Sequence, residues 1–185
     1  MKIFKGKLEG VLLFKLESFE DFRGEYVELF NEALYLKEIG KMLKGTVYEK
    51  EAGKLKFVED DISTGTKGVL KGIHGDKQTW KLVQCLLGKF YLVTVNNNPK
   101  SEDFGKWDAF TLSDKNRLQV LIPPHYGNGH LVLSEYDIYH YKQSSYYDPK
   151  NQFTIKWNDP KYNIWWPIDN PILSSRDETG KTIKK

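Results

Sequence analysis

Three side chains of this 185-residue sequence have the chemistry of proton transfer and charge stabilisation. His74 ends a predicted strand just before a turn, where a β-barrel would place a side chain at its mouth, and an imidazole can act as a base near neutral pH. Lys81 begins another predicted strand with apolar alternation, so we expect its ammonium group to face inward. Tyr141 carries a phenol with an ordinary pKa of about 10, which can donate a proton to a carbanion in a dry pocket. Each residue type taken singly is more often structural, and the residues alone leave that alternative open.

The other histidines, His125, His130 and His140, raise the possibility of a metal site. A barrel site of that kind needs a His-x-His pair, a nearby glutamate and a later histidine. The two residues after His74 are glycine and aspartate, so the pair is missing, and only His130 loosely matches the later position. The sequence therefore predicts a protein without a metal or other cofactor. Glycine-rich nucleotide loops and the G-x-S-x-G element are absent as well, which excludes several common enzyme classes.

Composition excludes further classes of protein. Lysine and arginine number 28 against 25 acidic residues, and a net charge of +3 does not indicate a nucleic-acid partner. The single cysteine, Cys85, excludes an intramolecular disulfide framework. No secretory signal and no apolar run of membrane-spanning length is visible, so the sequence predicts a cytoplasmic protein without a membrane partner.

The elements that must position these side chains are mostly strands. Residues 8–16 and 26–30 are predicted as strands on either side of a turn at 21–24. Many short β-branched or aromatic segments separated by Gly, Asn, Asp or Pro favour one sandwich or barrel domain over residues 1–185. The later predicted strands are 69–73, 81–87, 90–95, 110–112, 120–122, 130–133 and 138–141.

One helix interrupts this pattern, between Asn31 and Lys44. Asn31 is a plausible N-cap, and Gly45 follows the end of the predicted helix. Its apolar face is predicted to contain Leu36, Ile39 and Leu43.

Several short segments occur in a characteristic order along the chain. They are 21–24 (Asp-Phe-Arg-Gly), 68–74 (Gly-Val-Leu-Lys-Gly-Ile-His), 81–83 (Lys-Leu-Val), 104–107 (Phe-Gly-Lys-Trp), 133–136 (Leu-Ser-Glu-Tyr), 141–142 (Tyr-Lys), 157–159 (Trp-Asn-Asp), 164–167 (Ile-Trp-Trp-Pro) and 173–177 (Leu-Ser-Ser-Arg-Asp). In this order, over roughly residues 8–177, the sequence closely resembles the dTDP-4-dehydrorhamnose 3,5-epimerase family. The resemblance implies a mostly β, cupin-type jelly-roll sandwich or barrel with one or two short helices. It also implies a homodimer with exchanged N-terminal strands.

The resemblance implies a metal-free reaction on a nucleotide-diphosphate-linked 4-keto sugar. The C4 ketone acidifies the protons on C3 and C5, and removing one of them gives an enolate. The base matches His74, supported by a carboxylate that matches Asp177. Lys81 matches the lysine that meets the enolate oxygen, and Tyr141 matches the acid that returns a proton from the opposite face.

The same resemblance implies a set of substrate contacts. Arg23 and Lys71 would hold the diphosphate, and Tyr147 matches an aromatic residue near the nucleotide. Other substrate-contact positions match Glu28, Gln152 and Arg176.

The sequence also departs from the family pattern in the pocket. Lys71 replaces an arginine, and a lysine cannot make the bidentate hydrogen bonds that a guanidinium makes to phosphate. Asn128 replaces a second active-site histidine, and Glu59, Asp60 and Asp61 replace a Gln-x-Asn element. These changes predict a different substrate and most resemble epimerases of GDP-linked 4-keto-6-deoxy-heptoses in capsule assembly. A carboxylate at Asp60 or Asp61 could accept the two donors on the Watson–Crick edge of guanine.

Two alternative functions remain open from the sequence. A 3,4-ketoisomerase would share the enolate but move the ketone to C3. A catalytically silent cupin would bind the sugar nucleotide only, although such a protein has no evident need for Tyr141.

Overall fold

The computed structural model describes residues 1–180, which form two antiparallel β-sheets with short helices outside them. The strands are β1 (Lys2–Lys5), β2 (Leu12–Lys15), β3 (Phe19–Asp21), β4 (Gly24–Tyr26), β5 (Glu59–Thr66), β6 (Leu70–Asp76), β7 (Lys81–Leu87), β8 (Lys89–Asn96), β9 (Trp107–Ser113), β10 (Leu118–Ile122), β11 (Tyr126–Val132), β12 (Tyr136–Gln143) and β13 (Gln152–Thr154). The helices are α1 (Glu32–Met42), α2 (Glu49–Ala52) and α3 (Ser175–Thr179).

The two sheets differ in the number and order of their strands. The six-stranded sheet has the order β1-β2-β10-β7-β12-β5, and the five-stranded sheet has the order β13-β6-β11-β8-β9. Within residues 1–180, strands β3 and β4 pair only with each other, as a separate hairpin. This mostly β, antiparallel architecture confirms the predicted fold class. The assignment of residues 1–185 to one domain stays a prediction.

Apolar side chains are buried on both faces of both sheets. Val83, Phe90 and Val120 belong to the core between the sheets, while α1 covers the outer face of the six-stranded sheet around Phe14. The outer face of the five-stranded sheet is covered by the segment that includes Trp166. Strands buried on both faces have no exposed polar side, which explains why β8 and β10 are nearly continuous apolar runs in the sequence. Strand β11 is buried as well, but it contains the polar residues Asn128 and His130.

Helix α1 confirms the predicted helix. The Asn31 side chain accepts a hydrogen bond from the Leu34 N–H at 3.2 Å, as expected of an N-cap. Ile39 and Leu43 are buried as predicted, but Leu36 is only partly buried. Tyr35 takes the central place instead, because its ring packs on Phe14 and its hydroxyl donates to Gln119.

Several predictions about elements are wrong. The turn at 21–24 is present, but the strand predicted for 26–30 ends at Tyr26. Three helices are present among residues 1–180, rather than one or two, because α2 and α3 are too short to show a helical period. None of the three is long and apolar enough to cross a membrane.

Four strands, β1, β3, β5 and β13, are not predicted from the sequence. Strand β5 is an edge strand and is almost entirely polar, with side chains that alternate between partly buried and exposed. Its partly buried side is formed by Glu59, Asp61 and Ser63 rather than by apolar residues. That polar inner face belongs to the site described next.

Candidate active site

A pocket of about 280 Å³ opens between the two sheets. Its walls come from β5, β6, β7, β11 and β12, together with the segment that leads into α3. The lining residues are Ser63, Lys71, His74, Lys81, Asn128, His130, Tyr139, Tyr141, Ser174 and Asp177.

One wall of the pocket contains a histidine–aspartate pair. His74 lies on β6, and its Nε2 atom is 2.6 Å from Oδ1 of Asp177 on α3. Ser174 caps α3, accepting a hydrogen bond from the Asp177 N–H and donating its hydroxyl to Oδ2 of the same residue at 2.8 Å. The short helix therefore fixes the carboxylate that meets His74.

The Asp177 carboxyl is held in its ionised form although it is only 3% exposed. Burial opposes ionisation, but hydrogen bonds from His74, Ser174 and the Gly72 amide, with the charge of His74, more than offset it and lower the pKa of Asp177. An ionised carboxylate accepts a hydrogen bond from a protonated Nε2, so that the lone pair of the neutral His74 ring is on Nδ1. The pair is thus arranged as an oriented base.

The facing wall carries Lys81 and Tyr141, from β7 and β12. The Lys81 ammonium lies 5.5 Å from the centre of the Tyr141 ring. Burial lowers the pKa of Lys81, although the charges of Asp76 and Asp61 oppose the shift. Burial and the charge of Asp61 raise the pKa of Tyr141 to about 12, so its phenol stays protonated at neutral pH.

Strand β5 places two carboxylates beside this wall. Asp61 is the cross-strand neighbour of Tyr141, and Glu59 is the neighbour of Gln143. The Gln143 amide donates to Glu59 at 2.6 Å and to Asp61 at 3.0 Å, which holds the two carboxylates side by side. Asp60, between them in sequence, faces the other side of the sheet and pairs with His140 at 2.9 Å.

Lys71 lies at the pocket wall nearest β5. Its ammonium donates to the Ser63 hydroxyl at 2.7 Å and to the Thr64 carbonyl at 2.6 Å. The following glycine, Gly72, has a φ of +110°, and a Cβ there would be 2.7 Å from the Asn128 carbonyl oxygen. Only glycine allows this approach of β6 to β11, which brings Asn128 opposite His74 in the sheet register.

The pocket therefore brings together six of the predicted site residues. They are Lys71, His74, Lys81, Asn128, Tyr141 and Asp177. Glu59 and Asp61 adjoin it beside Tyr141, where their charges act on that phenol.

The remaining predicted site residues lie outside the pocket lining. The Arg176 guanidinium donates to the Thr154 hydroxyl. The Gln152 amide donates to the Asp76 carboxylate at 2.7 Å, and the charge of Asp76 acts on the pKa of Lys81. Tyr147 is 60% exposed, and its N–H donates to Glu59.

Arg23 and Glu28 are the two predicted contacts farthest from this arrangement. Arg23 lies on the exposed β3–β4 hairpin and pairs with Asp21 at 2.6 Å. Glu28 follows the hairpin and acts electrostatically on Tyr35. Within one chain, neither residue lines the pocket.

Sequence reasoning missed four lining residues: Ser63, His130, Tyr139 and Ser174. Two of them had a usable signal. Tyr139 alternates with Tyr141 on one face of a predicted strand, and Ser174 stands three residues before Asp177, the spacing of an N-cap with an acidic partner. Ser63 had none, because its strand was not predicted.

Behind the pocket, Asp137 is fully buried, and neither carboxylate oxygen has a hydrogen-bond partner among residues 1–180. His130 Nε2, also unpartnered, lies 3.8 Å from it. Burial raises the pKa of Asp137 to about 6, although the charge of Lys71 opposes the shift. Burial likewise lowers the pKa of His130 to about 3, so this imidazole is neutral at neutral pH.

Asp137→Asn is expected to stabilise the protein, and more at about pH 8 than at about pH 4. The native pKa of about 6 exceeds the unfolded value of about 3.9. The native state therefore binds more protons between those values, and its stability falls as the pH rises through them. Thermal unfolding of both proteins at the two pH values measures this difference. Asp169→Asn, at an exposed position, is the control, and an equal shift in Tm at both pH values would contradict the expectation.

The family model of dTDP-4-dehydrorhamnose 3,5-epimerase matches residues 5–185. The chain belongs to this family. Among curated relatives, the dTDP-4-dehydrorhamnose 3,5-epimerase of Shigella flexneri is 34% identical over 184 residues, covering 98% of this chain and 95% of the relative. The Escherichia coli (strain K12) enzyme of the same name is 35% identical over 187 residues, covering 99% and 95%. Family membership assigns the chain to the nucleotide-sugar 3,5-epimerases.

Solved structures of the epimerase family have the same fold. The dTDP-4-dehydrorhamnose 3,5-epimerase from Elizabethkingia anophelis NUHP1 has a TM-score of 0.83 at 34% identity, covering 97% of this chain and 94% of the other. An epimerase from Legionella pneumophila Philadelphia 1, solved in complex with dTDP-4-keto-L-rhamnose, has a TM-score of 0.84 at 31% identity, with coverages of 97% and 90%. The cupin-like jelly roll expected of the epimerase family is therefore confirmed.

Proposed function

We propose that this protein inverts C3, and also C5, of a nucleotide-diphosphate-linked 4-keto-6-deoxy sugar through an enolate. The observation that carries the proposal is the pocket itself, in which an oriented histidine–aspartate pair faces a lysine and a protonated tyrosine. The names of the relatives favour dTDP as the nucleotide. A GDP-linked heptose stays a prediction from the sequence, as does a cytoplasmic location.

In the first step, Nδ1 of His74 removes the proton on the carbon next to the ketone. The C–H electron pair becomes the second bond between that carbon and C4, and the former carbonyl pair moves to the C4 oxygen. Asp177 stabilises the imidazolium that forms, and Lys81 stabilises the negative oxygen. A fixed cation in a largely buried wall is effective here, because little water is present to screen its charge.

In the second step, the carbon takes a proton on its other face. The Tyr141 O–H bond breaks, the new C–H bond forms from the enolate pair, and the ketone is restored. Inversion requires this second group, because one base would return the proton to the face from which it came. The tyrosinate then recovers a proton from solvent, which the charges of Asp61 and Glu59 favour, and the His74 imidazolium releases its proton to solvent.

The diphosphate is assigned to the Lys71 side of the pocket. The Lys71 ammonium is partly buried there, while Glu59 and Asp61, farther along β5 beside Tyr141, would repel phosphate. The two carboxylates instead suit the hydroxyl groups of a sugar, which donate hydrogen bonds.

We further propose a homodimer in which the hairpin brings Arg23 and Glu28 to the site of a second copy. Support comes from the hairpin, which pairs with no other strand and exposes Phe19, Phe22 and Tyr26, with Phe22 98% exposed. A cluster of exposed aromatic side chains on one hairpin is typical of a protein–protein interaction surface.

The test of the proposed function is a panel of dTDP- and GDP-linked 4-keto-6-deoxy sugars, incubated in D2O and followed by NMR. We expect deuterium at C3 and C5 with inverted configuration, and the highest kcat/KM on one nucleotide series. A ketone that moves to C3 would show a ketoisomerase. Tight binding by calorimetry with no deuterium uptake from any sugar would show a binding protein.

A further inference from the structure

We propose that Tyr139 is a second catalytic hydrogen-bond donor to the C4 oxygen of the sugar and that Asn128 positions it. This inference rests on the proposed function and adds a group to it. Tyr139 and Tyr141 lie on the same face of β12, both line the pocket, and their ring centres are 5.5 Å apart. Tyr139 therefore belongs to the same wall as Lys81 and Tyr141.

The hydrogen bonding of Tyr139 leaves its proton free for a ligand. The Asn128 amide donates to the Tyr139 hydroxyl oxygen at 3.0 Å, so Asn128 does not take the phenol proton. No other residue in the described part of the chain accepts that proton. Tyr139 is only 4% exposed, and a buried donor without an acceptor is costly unless a ligand supplies one.

The Tyr139 ring is held rigidly. His130 stacks on it at 4.1 Å with only 10° between the planes, and Phe90 packs against both rings at 5.2 Å. A donor fixed before the substrate arrives needs no reorganisation when charge develops, which is the condition for effective oxyanion stabilisation. Burial raises the pKa of Tyr139 well above 10, so the phenol donates a hydrogen bond and keeps its proton.

This arrangement accounts for the departure at Asn128 from the pattern expected of the family. The expected histidine is missing at position 128, and the pocket instead contains an asparagine that orients a phenol. As the C–H electron pair forms the double bond to C4, negative charge develops on the C4 oxygen, between Lys81 and Tyr139. Two hydrogen-bond donors then stabilise the negative oxygen, instead of Lys81 alone.

Tyr139→Phe tests this role. Loss of one oxyanion donor is expected to lower kcat by about 10²-fold, with a smaller change in KM. Because the enolate itself is destabilised, deuterium exchange and inversion should fall together, so that their ratio stays at the wild-type value. Tyr162→Phe is the matched control, since this buried tyrosine bonds Asn97 outside the pocket. It should lose stability without losing kcat.

Asn128→Ala provides an independent variant. If Asn128 acts by positioning Tyr139, its removal lowers kcat in the wild-type background and has little effect in Tyr139→Phe. Additive losses in the double variant would overturn the positioning role. Thermal unfolding of each variant ensures that rates are compared between folded proteins.

The outcomes separate this inference from the proposed function. If the wild type shows exchange and inversion while Tyr139→Phe keeps its kcat within about twofold, the role of Tyr139 is wrong and the function stands. If Tyr139→Phe loses inversion but keeps exchange, Tyr139 is a proton donor and the inference is again wrong. If the wild type shows neither reaction with any sugar of the panel, the proposed function itself fails.

Discussion

His74→Asn is expected to lower kcat by about 10³-fold, because general-base catalysis by a positioned imidazole is worth about 10²- to 10⁴-fold. Asparagine keeps a polar side chain of similar reach but has no lone pair basic enough to take a carbon-bound proton. Both half-reactions depend on the enolate, so deuterium exchange at C3 and C5 should fall with inversion. NMR in D2O measures the two rates in one experiment.

A matched histidine control lies outside the pocket. His125 has a φ of +67°, a conformation that asparagine also tolerates, so His125→Asn should fold and keep its activity.

Asp177→Asn should reduce the rate as well, because a neutral amide stabilises the imidazolium less than a carboxylate does. Full exchange in His74→Asn would contradict the assignment of the base.

Tyr141→Phe is expected to lower the rate of inversion by about 10²-fold or more while His74-dependent exchange continues. Phenylalanine preserves the ring that lies near Lys81 but cannot deliver a proton to the second face. His74 can still remove the carbon-bound proton, exchange it with solvent and return a deuteron to the original face. Integration of the C3 and C5 signals, together with the coupling pattern of the product, gives the two rates.

The control for Tyr141→Phe comes from the same strand. Tyr136 begins β12 and is 45% exposed, away from the pocket lining. Tyr136→Phe should keep both the rate of exchange and the rate of inversion. An equal loss of exchange and inversion in Tyr141→Phe would show that Tyr141 stabilises the enolate rather than protonating it.

Much of the pocket wall that carries Lys81 and Tyr141 could be predicted from short-range patterns. Alternation along residues 139–141 puts Tyr139 on the same face as Tyr141, although only Tyr141 is predicted as a site residue. The inward orientation expected of Lys81 is confirmed by its place in the pocket. The pairing of His74 with Asp177, 103 residues later, came from the family resemblance, since no local pattern links residues so far apart.

The polar inner face of β5 shows why other parts could not be predicted. A strand is recognised by an apolar face, but on β5 Ser63 lines the pocket, and Glu59 and Asp61 lie on the same side of the strand in place of apolar core residues. The separation of Asp60 from Asp61 onto opposite faces follows only once that strand is known. The polar side chains on this face of β5 thus remove the alternation of apolar residues by which a strand is predicted from sequence.

The most direct test of the central claim, a base and an acid on opposite walls, is the ratio of inversion to deuterium exchange in wild type and Tyr141→Phe. With one 4-keto sugar in D2O, the wild type should give a product that is both deuterated and inverted at the same carbon. Tyr141→Phe should give substrate that is deuterated with its configuration retained. An unchanged ratio in the variant would contradict the two-sided mechanism.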